Sequence, residues 1–190
     1  ADLAQKVYHV WRENTPNRSR GVRITVSTSC FVPKSHTPFQ WEAQNTQEEY
    51  LRKVTLLREH MRNKSITYNW HDPETSYLEA VLSRGDRRIA DVIEEAWRHG
   101  AKFDSWSEYF NLQTWLTAME TCGVSPAFYA NRVREKDEIL PWHVISDGVK
   151  ESYLWRERET AYAGKITPDC KVKCSGCGAN KLCKGGICHG

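Results

Sequence analysis

The feature that most limits how this chain can fold is a strand, a helix and a second strand that follow one another between residues 22 and 71. Side chains alternate along VRITVSTSCFV (residues 22–32) and again along SITYNWH (residues 65–71), which predicts two strands. Between them, Thr46 and Glu49 have the spacing of a capping box and predict the start of a helix. Two strands joined through a helix run parallel, so the sequence predicts a parallel pair.

A parallel pair of strands is too small to be a stable sheet on its own. The sequence therefore predicts that the sheet is completed elsewhere, or that this segment is the back end of a larger barrel. Apolar side chains lie at helical spacing near the start of the chain and predict a helix that starts without a lead-in, as expected of a chain cut from a longer one; they are Leu3, Val7, Val10 and Trp11. Residues 72–164 are predicted to be mainly helical, because several stretches with an apolar stripe at helical spacing begin at a capping residue and end at a glycine. The predicted fold class is α/β going to mostly α.

The charge balance argues against a protein that binds nucleic acid mainly through positive charge. Lys and Arg number 27 against 24 Asp and Glu, which gives a formal charge of +3, and the two signs are interspersed. No stretch approaches the roughly 20 apolar residues of a membrane-spanning helix, and the N-terminus lacks the profile of a signal peptide. We therefore expect a cytoplasmic protein with no membrane partner.

Aromatic residues are unusually numerous, with eight Trp and eight Tyr. Such rings line grooves and interfaces, but they are also common core residues, and we expect the core for most of them. Trp106 and Tyr109 are accordingly expected to pack between helices.

The segment CKVKCSGCGANKLCKGGICHG (residues 170–190) holds five of the seven cysteines. Its first three cysteines are spaced C-x3-C-x2-C, and the next follows after five further residues. In a reducing compartment clustered thiols more often hold metal than form disulfides, so a disulfide or redox pair fits this tail least well. Zinc and an iron–sulfur cluster both stay open, because each takes four thiolates. The expected ligands are Cys170, Cys174, Cys177 and Cys183.

The C-x3-C-x2-C spacing is also that of the motif by which radical S-adenosylmethionine (SAM) enzymes hold their catalytic [4Fe–4S] cluster. In those enzymes the motif follows the first strand of the barrel, whereas thirteen residues follow Cys177 here. The tail site is therefore expected to be structural or auxiliary. Cys188 and His189 are alternative ligands, although solvent exposure is the simpler expectation for both.

Several longer stretches resemble one protein family. VSTSCFVPKSHTPFQWEAQ (residues 26–44) resembles the last barrel strand and the following loop of radical SAM enzymes. HDPETSYLEAVLSRGDRRIADVIEEAWRHGAKFDSWSEYF, EILPWHVISDGVKESYLWRE and TPDCKVKCSGCG are together similar to the C-terminal portion of an uncharacterised bacterial radical SAM family. Full-length members of that family carry a cobalamin-binding-like region, then the radical SAM barrel and a Cys-rich C-terminal tail. The resemblance extends from about residue 22 to residue 177.

The resemblance implies three parts: residues 1–71 as the C-terminal end of the barrel, residues 72–164 as a helical region, and residues 165–190 as a Cys-rich metal-binding tail. The catalytic cluster motif of the family lies in an N-terminal remainder that this chain lacks, so the chain alone is not expected to be an active enzyme. The implied cofactors are SAM and a [4Fe–4S] cluster in the full-length enzyme, with zinc or an auxiliary iron–sulfur cluster at the tail. The implied partners are that N-terminal remainder and a substrate that is either RNA or a protein.

The same resemblance implies where ligands bind. If residues 26–32 form the last barrel strand, the C-terminal end of that strand faces the active site. The residues expected to contact SAM are Ser29, Phe31, Val32 and Pro33. The loop that follows is braced by two prolines, and rigid loops at a barrel rim often carry function. Its substrate candidates are Lys34 and His36.

The resemblance assigns no catalytic residue to this chain, and it leaves the fourth ligand of the tail open. Many relatives have another cysteine where this sequence has Ala179. The fourth thiolate is then either Cys183 or Cys188.

An alternative function belongs to a different class. The chain could be a self-contained, non-enzymatic helical module with a zinc knuckle, whose aromatic and lysine side chains bind RNA or a protein partner. Small Cys-rich knuckles do recognise single strands by stacking. The low net charge weakens this alternative without removing it.

Overall fold

The computed structural model describes residues 1–181. In that part of the chain the protein is mostly helical, with seven α-helices and one sheet of two parallel strands, and it does not form a barrel. The elements are α1 (Asp2–Asn14), β1 (Ile24–Thr28), α2 (Gln47–His60), β2 (Ile66–Trp70), α3 (Pro73–Arg84), α4 (Ile89–Arg98), α5 (Leu112–Thr121), α6 (Pro126–Ala130), α7 (Glu151–Tyr162) and a 3-10 helix (Ala179–Lys181).

The predicted parallel strand pair is confirmed. Ile24 of β1 is in register with Ile66 of β2, and Thr28 with Trp70. The crossover helix α2 begins where the capping pattern predicts, because the side chain of Thr46 accepts the backbone N–H of Glu49 at 3.3 Å. Alternating burial along β1 matches the alternation of its sequence, so the inner face of the strand is set by its own residues.

The chain divides into two compact units. The first comprises Ala1–Val32 and Asn45–Glu79, and the second comprises Pro33–Gln44 together with the residues from Ala80 onward. The boundary on the C-terminal side falls within α3, after Glu79. Residues 33–44, which follow β1 along the chain, therefore fold with the helices of the second unit.

The core of the first unit is small and leaves apolar surface uncovered. Ala4 of α1 and Ile66 of β2 are buried there with Met61. Most of the predicted apolar stripe of α1 is exposed, since Leu3 is 74% exposed and Val10 58% exposed, whereas Trp11 is half-buried. An amphipathic helix normally buries its apolar face, so within residues 1–181 this surface of the first unit lacks the neighbour that its pattern predicts.

The second unit has a larger aromatic core. Its centre is a cluster of Trp41, Leu140, Trp142 and Leu154, against which Trp155 packs edge-to-face on Trp41 at 5.0 Å between ring centroids. The expectation that aromatic residues fill the core is confirmed for these rings. It is wrong for Trp106 and Tyr109, which are 62% and 57% exposed and do not pack between helices.

A buried arginine fixes residues 33–44 within the second unit. The guanidinium of Arg84, at the end of α3, donates to the backbone carbonyls of Tyr129 at 3.0 Å and Glu42 at 2.9 Å. It also donates to the carbonyls of Pro33 at 3.1 Å and Gln40 at 3.3 Å. Burial lowers the pKa of Arg84 to about 9, and the neighbouring charge of Arg134 acts in the same direction. The side chain is thus held by hydrogen bonds to carbonyls and not by a paired carboxylate.

None of the helices between residues 1 and 181 combines the length and the apolar character that crossing a membrane requires.

Candidate ligand sites

A cavity of about 260 Å³ lies in the first unit where both parallel strands end, and we call it the strand-end cavity. Ligands in α/β folds commonly bind at the carboxyl ends of parallel strands. Its wall combines aromatic, aliphatic and polar side chains. The aromatic side chains are Phe31, Tyr50, Tyr68 and Trp70, and the polar ones include Ser29, Asn45 and Lys53.

Two hydrogen bonds made by hydroxyl groups hold the walls of the strand-end cavity. The Tyr50 hydroxyl of α2 donates to the Phe31 carbonyl at 2.6 Å, which ties the segment after β1 to the crossover helix. The hydroxyls of Thr28 and Tyr68 lie 2.8 Å apart and link the two strands. The aromatic wall is therefore positioned by hydrogen bonds as well as by packing.

The thiol of Cys30 also faces this cavity but is not activated. Its sulfur lies 3.8 Å from the carbonyl oxygen of His71. Burial raises the pKa of the Cys30 thiol, and the charge of Asp72 acts in the same direction. A raised pKa keeps the group as a neutral thiol, which is a weak nucleophile.

The four residues predicted to contact SAM are not brought to one surface. Ser29 and Phe31 line the strand-end cavity. Val32 is buried, and Pro33 is fully buried in the second unit, where its carbonyl accepts from Arg84. The sequence could have indicated Trp70, because parallel strands end at one edge of a sheet. For Tyr50 and Lys53, which lie on the crossover helix, no sequence pattern indicated a place in the cavity.

A second cavity, of about 330 Å³, lies in the second unit, and we call it the connector cavity because the segment between α6 and α7 forms much of it. His36 contributes from residues 33–44, as does buried Gln40. The connector contributes His143 and Asp147, and Glu151 begins α7. Of the two predicted substrate residues, His36 lines this cavity and Lys34 is not among the lining residues. The carbonyl of Lys34 instead accepts the Thr37 hydroxyl at 2.7 Å.

Each histidine of the connector cavity faces a carboxylate. Nε2 of His143 lies 3.1 Å from Oε1 of Glu151. Nδ1 of His36 lies 3.8 Å from Oδ2 of Asp147, which is too long for a direct hydrogen bond. The sequence of residues 138–149 gave no signal for this cavity, because the partners of His143 and Asp147 lie on other segments.

The predicted metal tail is only partly within the described residues. Cys170 is exposed and Cys174 and Cys177 are half-buried, all as free thiols, whereas Cys183 lies outside residues 1–181. Within that range no group of three or more His, Cys, Asp or Glu side chains is arranged to hold a metal ion. The three described thiols therefore do not by themselves fit a metal, and the four-thiolate site stays a prediction.

The cysteine segment packs against helix α7. The carbonyl of Cys177 accepts the backbone N–H of Lys150 at 2.8 Å, one residue before the helix begins. The guanidinium of Arg156 donates to the carbonyl of Ser175 at 2.5 Å. Burial raises the pKa of the nearby Tyr153 hydroxyl, and the charge of Glu157 adds to the effect. The described part of the tail is thus anchored to the second unit by backbone groups.

Replacing Gly178 with alanine is expected to release this anchor. The residue has a φ of +99°, and a Cβ there would lie 2.9 Å from Cγ of Lys150 and 3.0 Å from the carbonyl oxygen of Gly148. We expect amide hydrogen exchange at Lys150 to speed up by at least about tenfold, because its acceptor on Cys177 moves away. Gly176→Ala is the matched control, since φ there is +73° but no atom lies within 4 Å of the added Cβ. Equal exchange rates in both variants would contradict a close packing role for Gly178.

No known family model matches this sequence, and no curated protein or solved structure is significantly similar to it.

Proposed function

We propose that this chain is the C-terminal segment of a radical SAM enzyme, which contributes contacts to SAM and to the substrate. The catalytic [4Fe–4S] motif belongs, on this proposal, to polypeptide that the chain lacks, so the chain alone is not active. The observation that carries the proposal is the strand-end cavity, because it lies at the carboxyl ends of parallel strands and is lined by aromatic and polar side chains. The chain would supply the final strands of a barrel that the rest of the protein completes.

The side chains that line the strand-end cavity fit an adenosyl group. Phe31 and Trp70 offer flat faces on which a purine ring can stack. The side chains of Ser29 and Asn45 can form hydrogen bonds with the polar atoms at the edge of that ring. The ammonium of Lys53 suits a carboxylate such as that of the methionine portion. SAM, when bound, would supply an adenosyl group that starts radical chemistry once its bond to the sulfonium sulfur is reductively cleaved.

The uncovered surfaces of the first unit support the same proposal. The stripe formed by Leu3, Val7 and Val10 on α1 is exposed, and the two strands form a sheet with an open edge on each side in the described residues. Open parallel edges and an exposed apolar helix face are both normally covered. An N-terminal barrel remainder, with its own strands and helices, would cover them.

The substrate and tail assignments complete the proposal. His36 and Lys34 remain the proposed substrate contacts, with RNA or a protein as the substrate class. Zinc or an auxiliary iron–sulfur cluster is proposed at Cys170, Cys174 and Cys177 with Cys183 as the fourth ligand. Metal and sulfide analysis of anaerobically purified protein distinguishes these two groups, and a metal-free protein would contradict both.

Phe31→Ala tests the proposal in the full-length protein purified without oxygen. We expect the wild-type protein to bind SAM and to cleave it to 5′-deoxyadenosine under reducing conditions. The variant should bind SAM at least about tenfold more weakly, because stacking on an aromatic ring is worth roughly 1–3 kcal/mol. Phe103→Ala is the control, since Phe103 is an exposed phenylalanine outside the strand-end cavity. Absence of SAM binding, or equal affinity of both variants, would contradict the proposal.

One observation favours the alternative of a non-enzymatic module with a zinc knuckle that binds RNA or a protein. Four large aromatic side chains at the end of α4 and in the segment between α4 and α5 are more than half exposed, and exposed aromatic surface often marks an interaction site. They are Trp97, Phe103, Trp106 and Tyr109. Binding of single-stranded RNA or of a protein that Trp106→Ala removes, in a protein that does not bind SAM, would favour this alternative.

A further inference from the structure

The connector cavity has two carboxylates in its wall and, among the described residues 1–181, neither Lys nor Arg. With histidine counted as neutral, the formal charges of the described lining residues are those of Asp147 and Glu151. Oδ1 of Asp147 accepts the backbone N–H of Val149 at 2.9 Å, and among residues 1–181 Oδ2 has only His36 opposite it, at 3.8 Å. The cavity therefore offers negative charge that no Lys or Arg of its described wall neutralises.

The hydrogen bonds of His143 leave the charge of Glu151 in place. Nδ1 of His143 accepts the backbone N–H of Leu140 at 3.3 Å, so the ring proton is on Nε2. Nε2 then donates to Oε1 of Glu151 at 3.1 Å. A neutral donor orients a carboxylate without cancelling its charge, and Oε2 of Glu151 has no partner among residues 1–181.

His36 is held in place by a buried amide. Its φ of +56° is a left-handed conformation that costs a non-glycine residue about 1 kcal/mol or more. Oε1 of buried Gln40 accepts the N–H of His36 at 2.9 Å and the indole N–H of Trp142 at 2.7 Å. The backbone of His36 is therefore held where its imidazole faces Asp147, and Nε2 of the ring has no partner in the described part of the chain.

Apolar side chains adjoin these polar groups. Val149 and Leu154 line the cavity, and Ile145, which also lines it, is 63% exposed beside Val144 at 89%. The Arg134 guanidinium lies over the Trp142 ring at 5.2 Å but is not a lining residue, and Glu138 faces it at 3.9 Å. A ligand for this cavity therefore combines a positive charge with an aliphatic portion.

We propose that the connector cavity binds a primary ammonium or guanidinium group carried on a short aliphatic stem. A metal ion is a poorer occupant, because no group of three His, Cys, Asp or Glu side chains in residues 1–181 is arranged to hold one. The same chemistry comes from a free alkylamine or from a Lys or Arg side chain of a partner peptide. This inference does not rest on the proposed SAM site, which is in the first unit.

Titration of the chain with n-butylamine, followed by NMR of the backbone amides, tests the proposal. We expect saturable shifts at His36, Asp147 and Glu151 with n-butylamine and none with n-butanol, which has the same stem without the charge. Asp147→Asn should weaken n-butylamine binding by about tenfold, since a charged partner is lost while the acceptor for Val149 remains. Asp137→Asn, an exposed acid outside the cavity, should leave the affinity unchanged.

Glu151→Gln is the second variant, and tryptophan fluorescence checks that each variant stays folded. Equal shifts with the amine and the alcohol, or unchanged amine affinity in Asp147→Asn and Glu151→Gln, would overturn the proposal. A blocked lysine-containing tripeptide distinguishes the two sources of the charge. Tighter binding of the tripeptide than of n-butylamine, with the same loss in Asp147→Asn, indicates a partner side chain, and equal or weaker binding indicates a free amine.

Discussion

Replacing Arg84 with methionine is expected to lower the free energy of unfolding by about 3 kcal/mol or more, because it leaves several backbone carbonyls without their donor. The guanidinium is fully buried and bonds four carbonyls, at Pro33, Gln40, Glu42 and Tyr129. Methionine fills a similar volume but donates no hydrogen bond. An unsatisfied buried carbonyl costs about 1–3 kcal/mol, and relaxation of the segment recovers part of the sum.

The controls for this prediction separate charge from geometry. Arg84→Lys keeps the positive charge, but a single ammonium with three donors cannot reproduce a planar fork that reaches four carbonyls, so most of the loss should remain. Arg87→Met, three residues along on an exposed position, should change stability by about 0.5 kcal/mol or less. Urea unfolding followed by tryptophan fluorescence measures all three variants. A midpoint for Arg84→Met equal to that of Arg87→Met would show that the carbonyls are satisfied in another way.

Arg84 also supports the connector cavity, although it does not line it. Arg84 holds the carbonyls on both sides of His36, namely those of Pro33 and Gln40, and Gln40 in turn fixes the backbone of His36. The left-handed conformation of His36 persists only while its surroundings hold it. A buried side chain at the end of α3 is therefore a positioning residue for a histidine that it does not touch.

The elements that the sequence predicted are those whose signals are local. The alternation along β1 and β2 and the cap at Thr46 predicted the parallel pair, because a strand–helix–strand order leaves no other direction. Predicted bounds were too wide, since residues 22–32 contain a strand of Ile24–Thr28 only. Pairing with one neighbour ends where that neighbour ends, which the sequence of β1 does not encode.

The parts that could not be predicted depend on contacts far apart in the sequence. Residues 33–44 carry two prolines that indicate an ordered loop, but their place in the second unit depends on Arg84, more than forty residues away. The connector cavity likewise places His36 opposite Asp147, and the sequence around either residue does not indicate that the other is its neighbour. The exposure of Trp106 was missed for a related reason, since composition cannot say which aromatic rings find a neighbour.

Replacing Trp41 with alanine is expected to lower the free energy of unfolding by about 3–5 kcal/mol, as large-to-small changes at fully buried aromatic positions do. Trp41 is completely buried with Leu140 and Leu154, and its ring packs edge-to-face on Trp155 at 5.0 Å. Alanine would leave a void at the centre of the second unit, and the side chains around it can close only part of that space. Trp97→Ala, at a 68% exposed position, should cost about 0.5 kcal/mol or less.

Trp41→Phe shows which property of the indole matters. The indole N–H of Trp41 is buried and has no hydrogen-bond partner among residues 1–181, so the native side chain already carries the cost of an unsatisfied donor. Phenylalanine removes that donor and keeps one aromatic ring against Trp155, at the expense of a smaller packed volume. The two effects oppose each other, so we expect a net loss of about 1 kcal/mol or less by urea unfolding. A loss as large as that of Trp41→Ala would mean that the indole N–H has a partner and that the core depends on it.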